Sequence, residues 1–111
     1  GWRYMKVKTL VEELGMTLIT GDGEKEITGI YACDLLSWVI SHAKTGDLWV
    51  TVMNNVNIVA VASLAEVACI VLAEGVKADE QVVKKARENG VTLLGSSMPT
   101  AEIIIKSSKL I

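Results

Sequence analysis

Histidine occurs once in this 111-residue chain, proline once and cysteine twice. Each scarcity excludes something. No metal site can be argued from one histidine and two distant cysteines, and no cofactor is expected. Cys33 and Cys69 both lie in apolar runs. That placement reads as reduced, buried thiols of a cytoplasmic protein, with a disulfide or redox pair as the alternative. Positive charge is not in excess either. Eleven Lys and Arg stand against 13 Asp and Glu, a formal net charge of -2. Without a basic cluster the chain lacks the electrostatic footprint of a nucleic-acid binder. The most apolar stretch, residues 56–73, is broken by Asn57, Ser63 and Glu66, which excludes a membrane span. No apolar signal region opens the chain, and no repeat, linker or low-complexity tract interrupts it.

What is there is a hydrophobic, globular composition. Half the residues are apolar and the mean hydropathy is +0.40, which excludes intrinsic disorder. The length suits one domain. Met5 is a candidate natural start, which would set residues 1–4 ahead of a domain spanning residues 5–111.

Apolar spacing divides the chain into alternating elements. Lys8–Leu14 reads as a helix stopped by Gly15, and Thr17–Thr20 as a strand. The acidic segment Gly21-Asp22-Gly23-Glu24-Lys25 reads as a hairpin turn into an extended run from Ile27 to Cys33. Asp34 then caps a helix over Leu35–Ala43. Leu48–Met53 is a strand, Asn57 a helix cap, and Ile58–Val67 a helix apolar enough to be buried on most sides. Ala68–Leu72 is a strand, Asp79–Asn89 an amphipathic helix and Thr92–Leu94 a strand. Pro99 opens a last helix ending near Leu110. Strands and helices in alternation with short connections predict an α/β domain with a largely parallel sheet and right-handed crossovers. Strands without polar alternation fit a sheet covered on both faces.

Catalytic signatures are absent. No Gly-rich dinucleotide loop, P-loop or nucleophile elbow occurs, and no spacing selects a carboxylate pair. His42 reads as polar packing at a helix end, where its charge would favour the dipole, with a general-base role as the alternative. Two constellations remain. Asp34, Trp38 and His42 recur every four residues and would stack along one helix line, with Ser37 beside them. A tryptophan between core and polar face is a typical interface anchor; alternatively Asp34 only caps and Trp38 fills core, as Trp49 does. Thr51, Asn54 and Asn57 sit where a strand runs into a helix N-terminus, the edge at which parallel sheets collect ligands. The alternative is a loop whose asparagines satisfy their own backbone.

Three runs carry a family resemblance. Gly29-Ile30-Tyr31-Ala32-Cys33-Asp34-Leu35-Leu36-Ser37-Trp38-Val39, Gly46-Asp47-Leu48-Trp49-Val50-Thr51-Val52 and Asn57-Ile58-Val59-Ala60-Val61-Ala62-Ser63-Leu64 resemble the DRTGG domain family, in its short members. The resemblance extends over nearly the whole chain from Met5. It implies a three-layer α/β domain similar to the N-terminal domains of HPr kinase/phosphorylase and Mur ligases, with a regulatory or ligand-sensing role. Longer relatives carry the domain beside phosphotransacetylase, CBS-pair or pyrophosphatase domains. Short members often inherit a serine-kinase label, which the absence of a P-loop here contradicts as an activity. The chain also departs from the motif that names the family. Asn57 and its neighbours stand where Asp-Arg is expected, and Ala73-Glu74-Gly75 stands for Thr-Gly-Gly. Loss of the arginine removes the strongest anion-binding group, and Glu74 adds negative charge.

The expectation from sequence is therefore a non-catalytic regulatory or protein-interaction module, acting as a homodimer, with a protein partner or a small ligand. A sensor of a nucleotide or phosphorylated metabolite at the Thr51–Asn57 loop is the alternative.

Overall fold

The computed structural model describes residues 5–111. The reading of residues 1–4 as preceding the natural chain falls outside them. The chain runs β1 (Met5–Lys6), α1 (Val7–Leu14), β2 (Thr17–Thr20), β3 (Glu26–Ile27), β4 (Gly29–Ala32), α2 (Leu36–His42), β5 (Asp47–Thr51), α3 (Asn57–Ala65), β6 (Cys69–Leu72), α4 (Glu80–Glu88), β7 (Leu93–Gly95) and α5 (Thr100–Ser108). β2, β7, β6, β5 and β4 form a five-stranded sheet in that order, while β1 and β3 make a small antiparallel sheet. β4 to β7 are mutually parallel, and β2 joins β7 antiparallel at one edge.

Three layers result, as the α/β alternation predicts. Alternate residues of the central strands face two separate cores. Leu48, Val50, Cys69, Val71 and Leu94 meet α1 and α5 through Val7, Leu10 and Ile103. Trp49, Ile70, Leu72 and Leu93 meet α2, α3 and α4 through Val39, Ile58, Val59, Val82 and Ala86. Covering both faces removes the need for polar alternation, so β5 and β6 are buried throughout. Among the described residues no helix is long and apolar enough to cross a membrane.

The N-terminal part departs from the sequence reading. Thr17–Thr20 and Ile27–Cys33 do not form a hairpin. Thr17 and Leu18 pair with Gly95 and Leu94, whereas β4 lies at the opposite edge of the sheet. The expected run from Ile27 is split, with Ile27 opposite Met5 in the small sheet and Gly29 opening the large one. The acidic segment folds back on the start of α1 instead. Val7 N–H donates to Lys25 C=O and Lys8 N–H to Gly23 C=O, while Glu24 pairs with Lys6 and Lys8 at 2.8 and 3.1 Å. The Lys6 and Lys8 ammonium groups hold the Glu24 carboxyl below its usual range. A depressed carboxyl stabilises the fold above its unfolded value and loses that contribution as the pH falls. The pair is solvent-exposed, so the effect is small.

α3 is buried on one side only. Ile58, Val59, Val61 and Ala62 face the core, but Ala60 and Ser63 are exposed and Leu64 is 70% exposed. The helix ends on Glu66 in the left-handed conformation (φ 54°), a position that favours glycine. Glu66→Gly is expected to stabilise the protein by about 0.5–1 kcal/mol in urea unfolding; a lower midpoint would show that the Glu66 side chain contributes more than the strain costs.

Both cysteines are free; Cys69 is buried and Cys33 is half-buried rather than buried. Burial pushes the Cys69 thiol up to about 12. Iodoacetamide at mildly alkaline pH is expected to label Cys33 and spare Cys69 until the protein unfolds, read by mass spectrometry of the intact chain. Early double labelling would contradict a closed core around Cys69.

Candidate functional site

The residues singled out in the sequence fall into three places. Asp34 does not cap α2, which starts at Leu36 after Leu35 without a side-chain cap. Its Oδ1 instead accepts from the Thr51 hydroxyl at 2.7 Å and from Val52 N–H at 2.9 Å. Asp34 therefore ties the end of β4 to the end of β5. Thr51 is almost wholly buried, and its hydroxyl also accepts from Met53 N–H. Asp34 Oδ1 and the Thr51 hydroxyl are both engaged in internal bonds. Trp49 is fully buried, as the sequence indicates, and donates from Nε1 to Cys33 C=O at 2.9 Å, fixing the chain that leads into α2.

On α2, the four-residue spacing brings Trp38 and His42 together while Asp34 lies outside the helix. Their rings stack with centroids 4.5 Å apart and planes 10° apart. His42 Nδ1 lies 3.0 Å from Trp38 C=O and 2.9 Å from Ser41 Oγ. Trp38 does not fill core: it is 53% exposed. Ser37 is exposed on the same helix.

Asn54 and Asn57 separate. Asn57 is the first residue of α3 rather than its cap; Val56 holds that position. Asn55 does the local satisfying, its Oδ1 accepting from Asn57 N–H at 2.9 Å. Asn54 reaches sideways to the next loop. Its Nδ2 donates to Lys77 C=O at 2.6 Å and its Oδ1 accepts from Asp79 N–H at 3.1 Å. The carboxamide thus clamps the β5–α3 loop to the β6–α4 loop. Spacing in the sequence carries no sign of a bond spanning 23 residues.

Beyond β6 the backbone is unusual. Glu74 and Gly75 are both left-handed, with φ of 62° and 74°. Their N–H groups donate to Met98 and Ser96 carbonyls, holding the loop against the end of β7. A pair of successive left-handed residues calls for two glycines. The profile of the DRTGG domain matches residues 9–107. The chain belongs to the DRTGG domain family. Both φ values of the Glu74-Gly75 pair are ones that glycine adopts without strain and glutamate does not. Glu74→Gly is accordingly expected to raise stability by about 0.5–1 kcal/mol, measured by urea denaturation.

Among solved structures, this DRTGG domain is similar to the CBS and DRTGG domains of the regulatory region of Clostridium perfringens pyrophosphatase, complexed with its activator diadenosine tetraphosphate. The TM-score is 0.72 at 11% identity, covering 96% of this chain and 45% of that one. The likeness is one of fold, and this chain spans less than half of its neighbour. No curated protein matches the chain in sequence. Among the described residues no group of His, Cys, Asp and Glu could hold a metal ion.

Proposed function

We propose that this DRTGG domain is a non-catalytic regulatory and interaction module that acts as a homodimer through the outer side of α2 and α3. The observation that carries the reading is the placement of its exposed apolar side chains. Among the described residues, six of the nine large ones belong to α2, α3 or the loops beside them: Leu35, Trp38, Ile40, Val52, Val56 and Leu64. Exposed tryptophan and leucine concentrated on neighbouring helices mark an association surface more readily than a solvated one. The Trp38–His42 stack holds the indole in one orientation, which lowers the entropy lost on docking. Membership of a regulatory domain family supports the non-catalytic role. Two free cysteines suit a reducing compartment and support a cytoplasmic location.

Light scattering on a size-exclusion column tests the dimer. Wild type is expected at twice the chain mass and Trp38→Ala at the monomer mass, with the fold intact by circular dichroism. A monomeric wild type, or a dimer indifferent to Trp38→Ala, overturns the assignment.

A second reading is a response to a nucleotide or phosphorylated metabolite, favoured by the nucleotide activator bound in the regulatory region of the structural neighbour. The loop that the sequence offers for it is less open than its composition promises, because Asn54 and Thr51 are engaged internally. A thermal-shift screen of nucleotides and phosphate compounds tests this reading, since ligand at about 100 times its dissociation constant adds roughly 2.7 kcal/mol. No shift with any of them would retire it.

A further inference from the structure

A cleft of about 450 Å³ opens at the carboxyl edge of the sheet, between α4 and the β2–β7 edge. Its origin is topological. β6 and β7 are hydrogen-bonded neighbours, yet the chain leaving β6 runs to α4 on one face and the chain leaving β7 runs to α5 on the other. Loops that diverge to opposite faces leave a crevice beyond the strand ends, where open α/β sheets bind ligands. At β5 the situation differs. The connections from β5 and β6 both lead to helices on the same face, and Asn54 bridges the gap between them.

The lining of this crevice has a definite chemistry. Ile19, Val76 and Val83 form an apolar wall, and Thr17 and Ser97 bring hydroxyls. Lys77 is the one charged residue lining it among the described residues, with no carboxylate opposing it. At Gly75 no described atom beyond its chain neighbours lies within 4 Å of where a side chain would begin, so a ligand can approach that backbone closely. The volume lies within the range of small-molecule pockets, roughly 300–1,000 Å³. A second cleft of about 440 Å³ at the amino edge has the opposite character. α3 and α4 end beside it, directing carbonyls there, and the side chains of Glu26 and Glu66 line it against Lys25 alone. Helix C-termini and paired carboxylates disfavour an anion.

We infer that the carboxyl-edge crevice binds a phosphate ester carrying a flat apolar body, the chemistry of a nucleoside monophosphate. The phosphate lies against the Lys77 ammonium and the Ser97 hydroxyl, and the base lies on Ile19 and Val83. The inference adopts the ligand-response reading above but gives it a different address, and it is independent of the dimer.

The test is an amide chemical-shift titration of the isotope-labelled full chain with AMP, GMP, CMP and UMP, and separately with adenosine and inorganic phosphate. A mononucleotide is expected to shift the Gly75, Lys77 and Ser97 amides, and adenosine or phosphate alone to do so more weakly. Lys77 is exposed and its side chain makes no bond to the fold among the described residues, so Lys77→Glu should keep the free spectrum. That variant should weaken binding roughly tenfold to a hundredfold, the loss of one charge-assisted contact. No shift at these amides with any of the four nucleotides overturns the site, as does equal affinity in Lys77→Glu. Shifts confined to the Asn54–Asn57 loop overturn this address while upholding a ligand response. Inorganic phosphate binding as tightly as the nucleotides overturns the flat-body assignment.

Discussion

Trp49→Ala is expected to cost about 3–5 kcal/mol, the usual penalty for truncating a fully buried tryptophan. Domains of this kind have a total stability of only about 5–15 kcal/mol, so the variant stands near the limit of folding. Two effects add. The indole is wholly enclosed between β5 and the α2–α3 layer, and its removal leaves a cavity that a close-packed interior cannot collapse around. Its Nε1–H also satisfies the Cys33 carbonyl, which would be left without that partner. Trp49→Phe separates the two, because it keeps most of the apolar contact and discards the donor. Urea unfolding followed by far-ultraviolet circular dichroism should place Trp49→Phe between the wild type and Trp49→Ala. A loss below about 1 kcal/mol for the alanine variant would contradict the enclosed position.

Asp34→Ala is expected to cost about 2 kcal/mol, although the residue is exposed and the sequence marks it only as a helix cap. Its carboxylate accepts two bonds, one from a buried hydroxyl and one from a backbone N–H. Truncation leaves the Thr51 hydroxyl inside the sheet edge without its acceptor, and the penalty for a buried orphan exceeds the net worth of the bond itself. Asp34→Asn retains an acceptor oxygen without the charge and should lose about half as much. A Thr51→Val and Asp34→Ala cycle then measures the coupling. Additive losses would mean that the two side chains do not act through each other. The same variants bear on the interface: Asp34 joins β4 to β5 just ahead of α2, so Asp34→Ala should weaken the proposed dimer less than Trp38→Ala does.

Much of the architecture was legible from residue order. The helix read over residues 8–14 and found from Val7, its glycine stop, and the strand–helix alternation from β4 to α5 all follow from apolar spacing and helix-stop residues. The continuous apolar runs of β5 and β6 predicted a sheet covered on both sides, because a strand facing water would alternate. The four-residue spacing of Trp38 and His42 likewise predicted their contact, since helix geometry alone brings such residues together.

Other features arise from contacts between distant segments, to which local spacing is blind. Thr17 pairs with Gly95 rather than across a nearby turn, and no periodicity in a four-residue strand encodes a partner so far along the chain. Asp34 and Asn54 are good capping residues by type, but both found acceptors or donors 17 to 25 residues away. The position of the carboxyl-edge crevice is the clearest case. Right-handed crossovers oblige α2, α3 and α4 to share one face once β4 to β7 lie in sequence order. Among the described residues α5 connects no two strands of the sheet, so handedness places no demand on it. Burial of Ile103 and Ser107 carries it to the other face, and that choice opens the crevice between β6 and β7. Apolar patterning along the chain dictates the layers and the parallel core, through hydrophobic burial; where the sheet's edge opens is set only in three dimensions, because it depends on which face the last helix covers.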